Sequence, residues 1–124
     1  VQLVSPKPRT DRPEQTVEAL AAFGKYAGSA TLILSSLAEG PKHGYALTKD
    51  IETFAAVRLA PGTLYEALSR LEGQGLIEAL ESDDRRRPYQ ITPRGAAALK
   101  AHLAAQRHVA NIGLRRLTRN VGLT

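Results

Sequence analysis

From Pro61 to Leu71 the chain reads Pro-Gly-Thr-Leu-Tyr-Glu-Ala-Leu-Ser-Arg-Leu, and its polar members recur at helical spacing. On a 3.6-residue period Leu64, Ala67, Leu68 and Leu71 share one face, which leaves Gly62, Thr63, Tyr65, Glu66, Ser69 and Arg70 on the other. Thr63, Tyr65 and Ser69 bring hydroxyl donors, and Arg70 brings a planar fork that suits a phosphate or a guanine edge. Gly62 has no side chain to hold a ligand away, and the free amides of a first turn suit a phosphate oxygen. A merely solvated helix face has the same composition, so the stretch does not decide by itself. A second cluster, Arg85-Arg86-Arg87, comes directly after Asp83-Asp84; it reads either as a self-neutralising turn or as a basic tip laid along a polyanion. Lys49, with Tyr45 one helical turn before it, adds a further cation and hydroxyl. The chemistry on offer is hydrogen bonding and ion pairing to a polyanion rather than bond making.

Covalent and metal chemistry find little support. Cysteine is absent, which removes disulfides, thiolate nucleophiles and Cys-based zinc sites. The histidines are His43, His102 and His108, and the last two lie off the i, i+4 spacing that puts two ligands on one helical face. The carboxylates are scattered, and no Gly-rich phosphate loop or nucleophile elbow occurs. Neither enzyme activity, a cofactor nor a metal is expected.

The elements that must carry these residues can be read in order. Residues 1–13 hold three prolines and mixed charge and read as a flexible arm. Residues 14–24 read as a short accessory helix carrying Val17, Leu20, Ala21 and Phe23, ended by Gly24. From Tyr26 to Ala38 the residues Ala30, Ile33, Leu34 and Leu37 keep to i, i+3, i+4, i+7, and Gly40-Pro41 stops that helix. A second helix starts near His43-Gly44 and is expected to bury Leu47, Ile51 and Phe54; a third opens at Pro61 and ends at Gly73-Gln74-Gly75. The period then changes to two: Ile77 and Ala79, then Tyr89 and Ile91, mark a β-hairpin with a charged tip. Thr92-Pro93 supplies a cap and first-turn proline for a long helix reaching about Leu117. Three helices and then a two-stranded wing make a winged helix-turn-helix, here residues 26–92, with residues 93–124 as a C-terminal helix and tail. The fold class is mainly α with a small β-hairpin.

Charge supports a nucleic-acid partner less than its total suggests. The chain of 124 residues has a net charge of +5. Residues 42–92 carry Lys42, Lys49, Arg58, Arg70, Arg85, Arg86 and Arg87 against eight acidic residues, whereas residues 93–124 carry six basic residues and no acidic one. The case for DNA therefore rests on local geometry rather than on pI. The length suits one core, no apolar run approaches the roughly 18 residues of a membrane span, and a cytoplasmic location is the default expectation. The first residue is Val1, so position 1 is not read as a biological start.

Four ordered motifs resemble the PadR family of transcriptional regulators. His43-Gly44-Tyr45-Ala46-Leu47-Thr48-Lys49-Asp50-Ile51 looks like the family's second-helix motif, and Gly62-Thr63-Leu64-Tyr65 looks like its recognition-helix signature. Arg70-Leu71-Glu72 with Gly75-Leu76-Ile77 resembles the family's next segment, and Arg85-Arg86-Arg87 with Tyr89-Gln90-Ile91-Thr92-Pro93-Arg94-Gly95 resembles the wing and the start of the last helix. The resemblance covers roughly residues 28–103. Two positions depart from it. Glu66 stands where many members carry proline and would repel phosphates unless it faces a cytosine amino group or an arginine; Pro88 removes one backbone donor from the wing.

The resemblance implies a bacterial DNA-binding regulator, more often a repressor, that binds a pseudo-palindromic operator as a homodimer and in some members is released by a small-molecule effector. The DNA-contacting set is then Tyr45, Lys49, Gly62, Thr63, Tyr65, Ser69, Arg70, Arg85, Arg86 and Arg87. The last helix becomes the dimerisation element through Leu99, Leu103, Val109, Ala110, Ile112, Leu114 and Leu117, which spread too widely for one stripe on a small core. A winged-helix module that binds another protein is the alternative.

Overall fold

The computed structural model describes residues 28–82 and 86–121. The arm 1–13, the accessory helix 14–24, Phe23, Tyr26, the tip residues Asp83, Asp84 and Arg85, and the tail beyond 121 lie outside the described residues. Within them the elements are α1 (Gly28–Leu37), α2 (Gly44–Ala55), α3 (Pro61–Gly73), β1 (Ile77–Ala79), β2 (Tyr89–Ile91) and α4 (Pro93–Val121).

Helix α1 lies at the centre because its apolar positions serve several neighbours at once. It packs against α2, α3, α4 and β2, with Ile33, Leu34 and Leu37 buried. Leu47 and Ile51 of α2, Leu64, Ala67, Leu68 and Leu71 of α3, Leu59, Ile77 and Leu99 complete one core. Burying each leucine or isoleucine side chain of this core is worth about 1.5–3 kcal/mol relative to leaving it in water.

Phe54 departs from expectation: it is 50% exposed. The buried stripe of α2 advances by fours, from Leu47 to Ile51 and on to the half-buried Ala55, so the last inward position goes to alanine. The chain then leaves the helix through Ala56, in the left-handed region at φ 56, and Phe54 is left on the outer side of the final turn.

The expected hairpin forms, and its register places Ile77 opposite Ile91 and Ala79 opposite Tyr89. Its start is set by Gly75, just past α3, with a φ of +76; Gly75 N–H donates to Glu72 O at 3.0 Å and Leu76 N–H to Leu71 O at 3.0 Å. The wing also gains a third backbone segment. Lys42 N–H donates to Tyr89 O at 3.0 Å and Tyr89 N–H donates to Lys42 O at 2.8 Å, so the connector before α2 is bridged to β2. Side chains reinforce that connector. Lys42 Nζ donates to Ser36 O at 2.5 Å and pairs with Glu39 at 2.9 Å and Asp50 at 3.8 Å, while Ser36 Oγ donates to Asp50 Oδ2 at 2.6 Å.

Thr92 opens α4 as a cap: Gly95 N–H donates to Thr92 Oγ1 at 3.0 Å, and Thr92 Oγ1 donates to Gly75 O at 2.7 Å. A Cβ at Gly95 would overlap the Leu76 carbonyl oxygen, so the helix leaves the wing at a distance only glycine allows. Helix α4 runs 29 residues to Val121, past the expected end near Leu117, because no proline interrupts it. At 1.5 Å per residue that is about 43 Å, far longer than the core it touches.

Candidate nucleic-acid interface

The core positions of α3 dictate the opposite face. With Leu64, Ala67, Leu68 and Leu71 buried, Gly62, Tyr65, Glu66, Ser69 and Arg70 are exposed and Thr63 is half-buried. They form an outward stripe along the helix. Ala60, extended, and Pro61 at the first position start α3 without a side-chain cap, which leaves the amides of Gly62 and Thr63 free of intrahelical bonds. Glu66 and Arg70 approach to 3.8 Å on adjacent turns, so the carboxylate that departs from the family pattern is met by an arginine of its own helix. Both groups are half exposed, and such a pair contributes little to stability.

Tyr65 is held against α2. A Cβ on Gly44 would lie 2.5 Å from Tyr65 Oη, so the phenol crosses the first turn of α2 where only glycine leaves room. The ring is still 55% exposed, and Tyr45 beside it is 67% exposed. Two clefts meet at these tyrosines. One, of about 470 Å³, lies between α2 and α3 and is lined by Tyr45, Thr48, Lys49, Glu52, Arg58 and Tyr65 among others. The other, of about 260 Å³, lies between α2 and the wing and is lined by His43, Gly44, Tyr45, Tyr65, Arg86, Arg87 and Tyr89. Tyr45, Lys49, Tyr65, Arg86 and Arg87, far apart in sequence, are thus brought to one side of the domain. Ser69 and Arg70 continue along α3 on the same exposed stripe.

Several lining residues escape the sequence reading. Arg58, in the connection between α2 and α3, carries no periodic signal, and a basic residue shortly before the first-turn proline of α3 is the one clue the sequence offers. His43, the residue before α2, makes no side-chain cap bond, and its Nδ1 is buried without a hydrogen-bond partner among the described residues. Thr48 spends its hydroxyl on Gly44 O at 3.1 Å. The Tyr89 phenol is pushed above its ordinary pKa by burial, then by the Glu72 carboxylate; Arg87 opposes the shift and Tyr65 adds slightly to it. Tyr89 therefore keeps its proton and remains a hydrogen-bond donor at neutral pH.

The proposed partner-facing residues separate into two groups. Leu99 is only 7% exposed and belongs to the core of its own chain, because α4 is still beneath α1 at that turn. Leu103, Val109, Leu114 and Leu117 are exposed, Ala110 is exposed, and Ile112 is half-buried.

A family model described as the transcriptional regulator PadR-like family matches residues 33–101, more than half of the chain. The chain belongs to this family. The matched span of the PadR-like family contains α2, α3, the wing and the first turns of α4. The chain is 47% identical over 77 residues to a 37.1 kDa protein in a transposon of Streptomyces fradiae, covering 60% of this chain and 22% of that protein. It is 44% identical over 70 residues to a transcriptional regulator of Mycobacterium tuberculosis, covering 54% of this chain and 64% of that one. The chain thus spans less than two thirds of either relative. Among solved structures, a transcriptional regulator from Clostridium thermocellum superposes with a TM-score of 0.64 at 29% identity, covering 79% of this chain and 93% of the other. A PadR family transcription regulator from Clostridium difficile gives 0.66 at 26% identity, covering 72% and 97%. The winged helix-turn-helix with a long C-terminal helix is the fold these PadR-like structures share with this chain.

Proposed function

We propose that this PadR-like protein is a transcriptional regulator that binds double-stranded DNA as a homodimer, with α3 in the major groove and the wing on the adjacent backbone. The observation that carries the reading is the convergence of Tyr45, Lys49, Tyr65, Arg86 and Arg87 on two clefts that meet at the exposed face of α3. Gly62, Thr63, Ser69 and Arg70 supply the remaining contacts along that face, with Arg70 reading a base edge or a phosphate. Arg85, adjacent to Arg86 in sequence and outside the described residues, is proposed as a contact with them. The exposed Leu103, Val109, Leu114 and Leu117 support a partner helix on α4, and Ala110 and Ile112 lie along the same stretch. Two-fold symmetry then matches a pseudo-palindromic operator, and occupancy blocks transcription. A groove of about 490 Å³ beside β2 and α4, lined by Ala38, Ile91, Leu99 and Leu103 and by the cations Lys100 and Arg107, supports release by a small-molecule effector.

The test is Tyr65→Ala with Arg70→Ala, measured against DNA upstream of the gene in excess competitor. A folded dimer should lose specific retention; unchanged affinity removes α3 from the interface. Specific retention by wild type also separates this reading from a protein-binding module, which would give none at moderate salt. Changing Arg85, Arg86 and Arg87 together to alanine should flatten the salt dependence of binding.

A further inference from the structure

We propose that Arg58, paired with Lys49 across the α2–α3 cleft, grips a stretch of DNA backbone separate from the one held by the wing arginines. The inference rests on the DNA-binding reading and extends it to a residue outside the helix face and the wing.

Cations divide here by whether a carboxylate already meets them. Lys42 is paired with Glu39 and Asp50, and Arg70 lies beside Glu66. Among the described residues the side chains of Lys49 and Arg58 make no ion pair or hydrogen bond, and both residues are exposed. They line the same cleft of about 470 Å³. Glu52 lines it too and offsets one of the two charges, so the cleft holds one net positive charge.

The position of Arg58 is set by the fold. Leu59 is buried in the core directly after it, and Ala56 in the left-handed region fixes the chain before it. The Arg58 backbone, set between a fixed turn and a core side chain, roots its side chain beside the start of α3. Gly44, Tyr45 and Tyr65 line both clefts; from them one cleft leads to Arg58 and Lys49, and the other to Arg86 and Arg87. The tyrosines stand between two cationic ends. Because the two clefts share the tyrosines but not their cations, the two ends are assigned different phosphates.

The experiment uses the full chain and a duplex that wild type retains specifically. Arg58→Ala should weaken operator and competitor DNA by the same factor, and the slope of log K against log salt should fall by about one contact's worth, ~0.9. Between 50 and 200 mM salt the ratio of wild-type to mutant affinity should then change about 3.5-fold. Arg58→Lys should keep most of the slope. Single methylphosphonate substitutions locate the contact: the neutral position to which Arg58→Ala becomes insensitive should differ from the one for Arg87→Ala. An unchanged slope in a folded Arg58→Ala protein overturns the proposal, as does one shared phosphate for both variants. If wild type retains no duplex, the DNA-binding reading falls with it. Wild-type retention with an unaffected Arg58→Ala variant removes only Arg58.

Discussion

Replacing Gly44 with alanine should separate stability from DNA binding. The new Cβ would lie 2.5 Å from Tyr65 Oη, closer than such atoms approach, and a tight 3.2 Å from Tyr65 Cζ. The obstacle is the end of an exposed side chain rather than backbone, so Tyr65 can swing away at little cost to the fold. Alanine also favours a helix over glycine by at most about 1 kcal/mol, and less at a first turn. Urea unfolding should therefore show stability unchanged or slightly raised. Binding should suffer, because the phenol leaves the junction of the two clefts and loses a hydrogen bond to a charged phosphate, worth about 1.5 kcal/mol or roughly tenfold in Kd. Fluorescence anisotropy on an operator duplex reads that loss. Tyr65→Phe provides the control: it should cost a similar amount, and in its presence Gly44→Ala should add little. Additive losses would mean that Gly44 acts on DNA directly and that the placement of Tyr65 is irrelevant. Undiminished binding by Gly44→Ala would refute the reasoning outright.

Three other outcomes are expected. Gly95→Ala should destabilise the protein by about 1–3 kcal/mol in denaturant melts despite its better helix propensity, because its Cβ meets the Leu76 carbonyl, which is backbone rather than a yielding side chain. Leu114→Asp with Leu117→Asp should shift the protein to monomer in sedimentation while leaving its thermal melt at high dilution near that of the wild type, since both side chains are exposed on the single chain. The Tyr89 phenol, raised above its ordinary value of about 10, binds its proton more tightly folded than unfolded. Its stabilisation is complete below pH 10 and is lost as pH climbs through the folded value; Tyr89→Phe should flatten that alkaline decline in pH-dependent unfolding.

The features legible in the sequence are local ones. The stripe Leu64, Ala67, Leu68 and Leu71 fixes which face of α3 is free, and the alternation of Ile77, Ala79, Tyr89 and Ile91 marks the two strands of the hairpin, because each signal is complete within a few residues. Phe54 defeats the pattern because positions i+3 and i+4 look equivalent until the neighbouring helices choose between them. Leu99 reads as a partner-facing residue because periodicity does not tell where a long helix leaves its own core. The Lys42–Tyr89 bridge and the approach of Tyr65 to Gly44 join distant segments and have no local signature. Arg58 is hidden for a different reason: connections have no period, so a charged residue there gains meaning only from the cleft it borders.

The reciprocal bond between Lys42 and Tyr89 has a thermodynamic consequence for recognition. It makes the start of α2 and the base of the wing a single body, so the spacing from Tyr45 to Arg87 is decided when the chain folds and not when a duplex arrives. Little backbone freedom is left there to surrender on association, and the entropy lost is mainly that of long side chains settling onto phosphates. Breaking the bridge should therefore show first as a more unfavourable entropy of association, with the contacts themselves preserved.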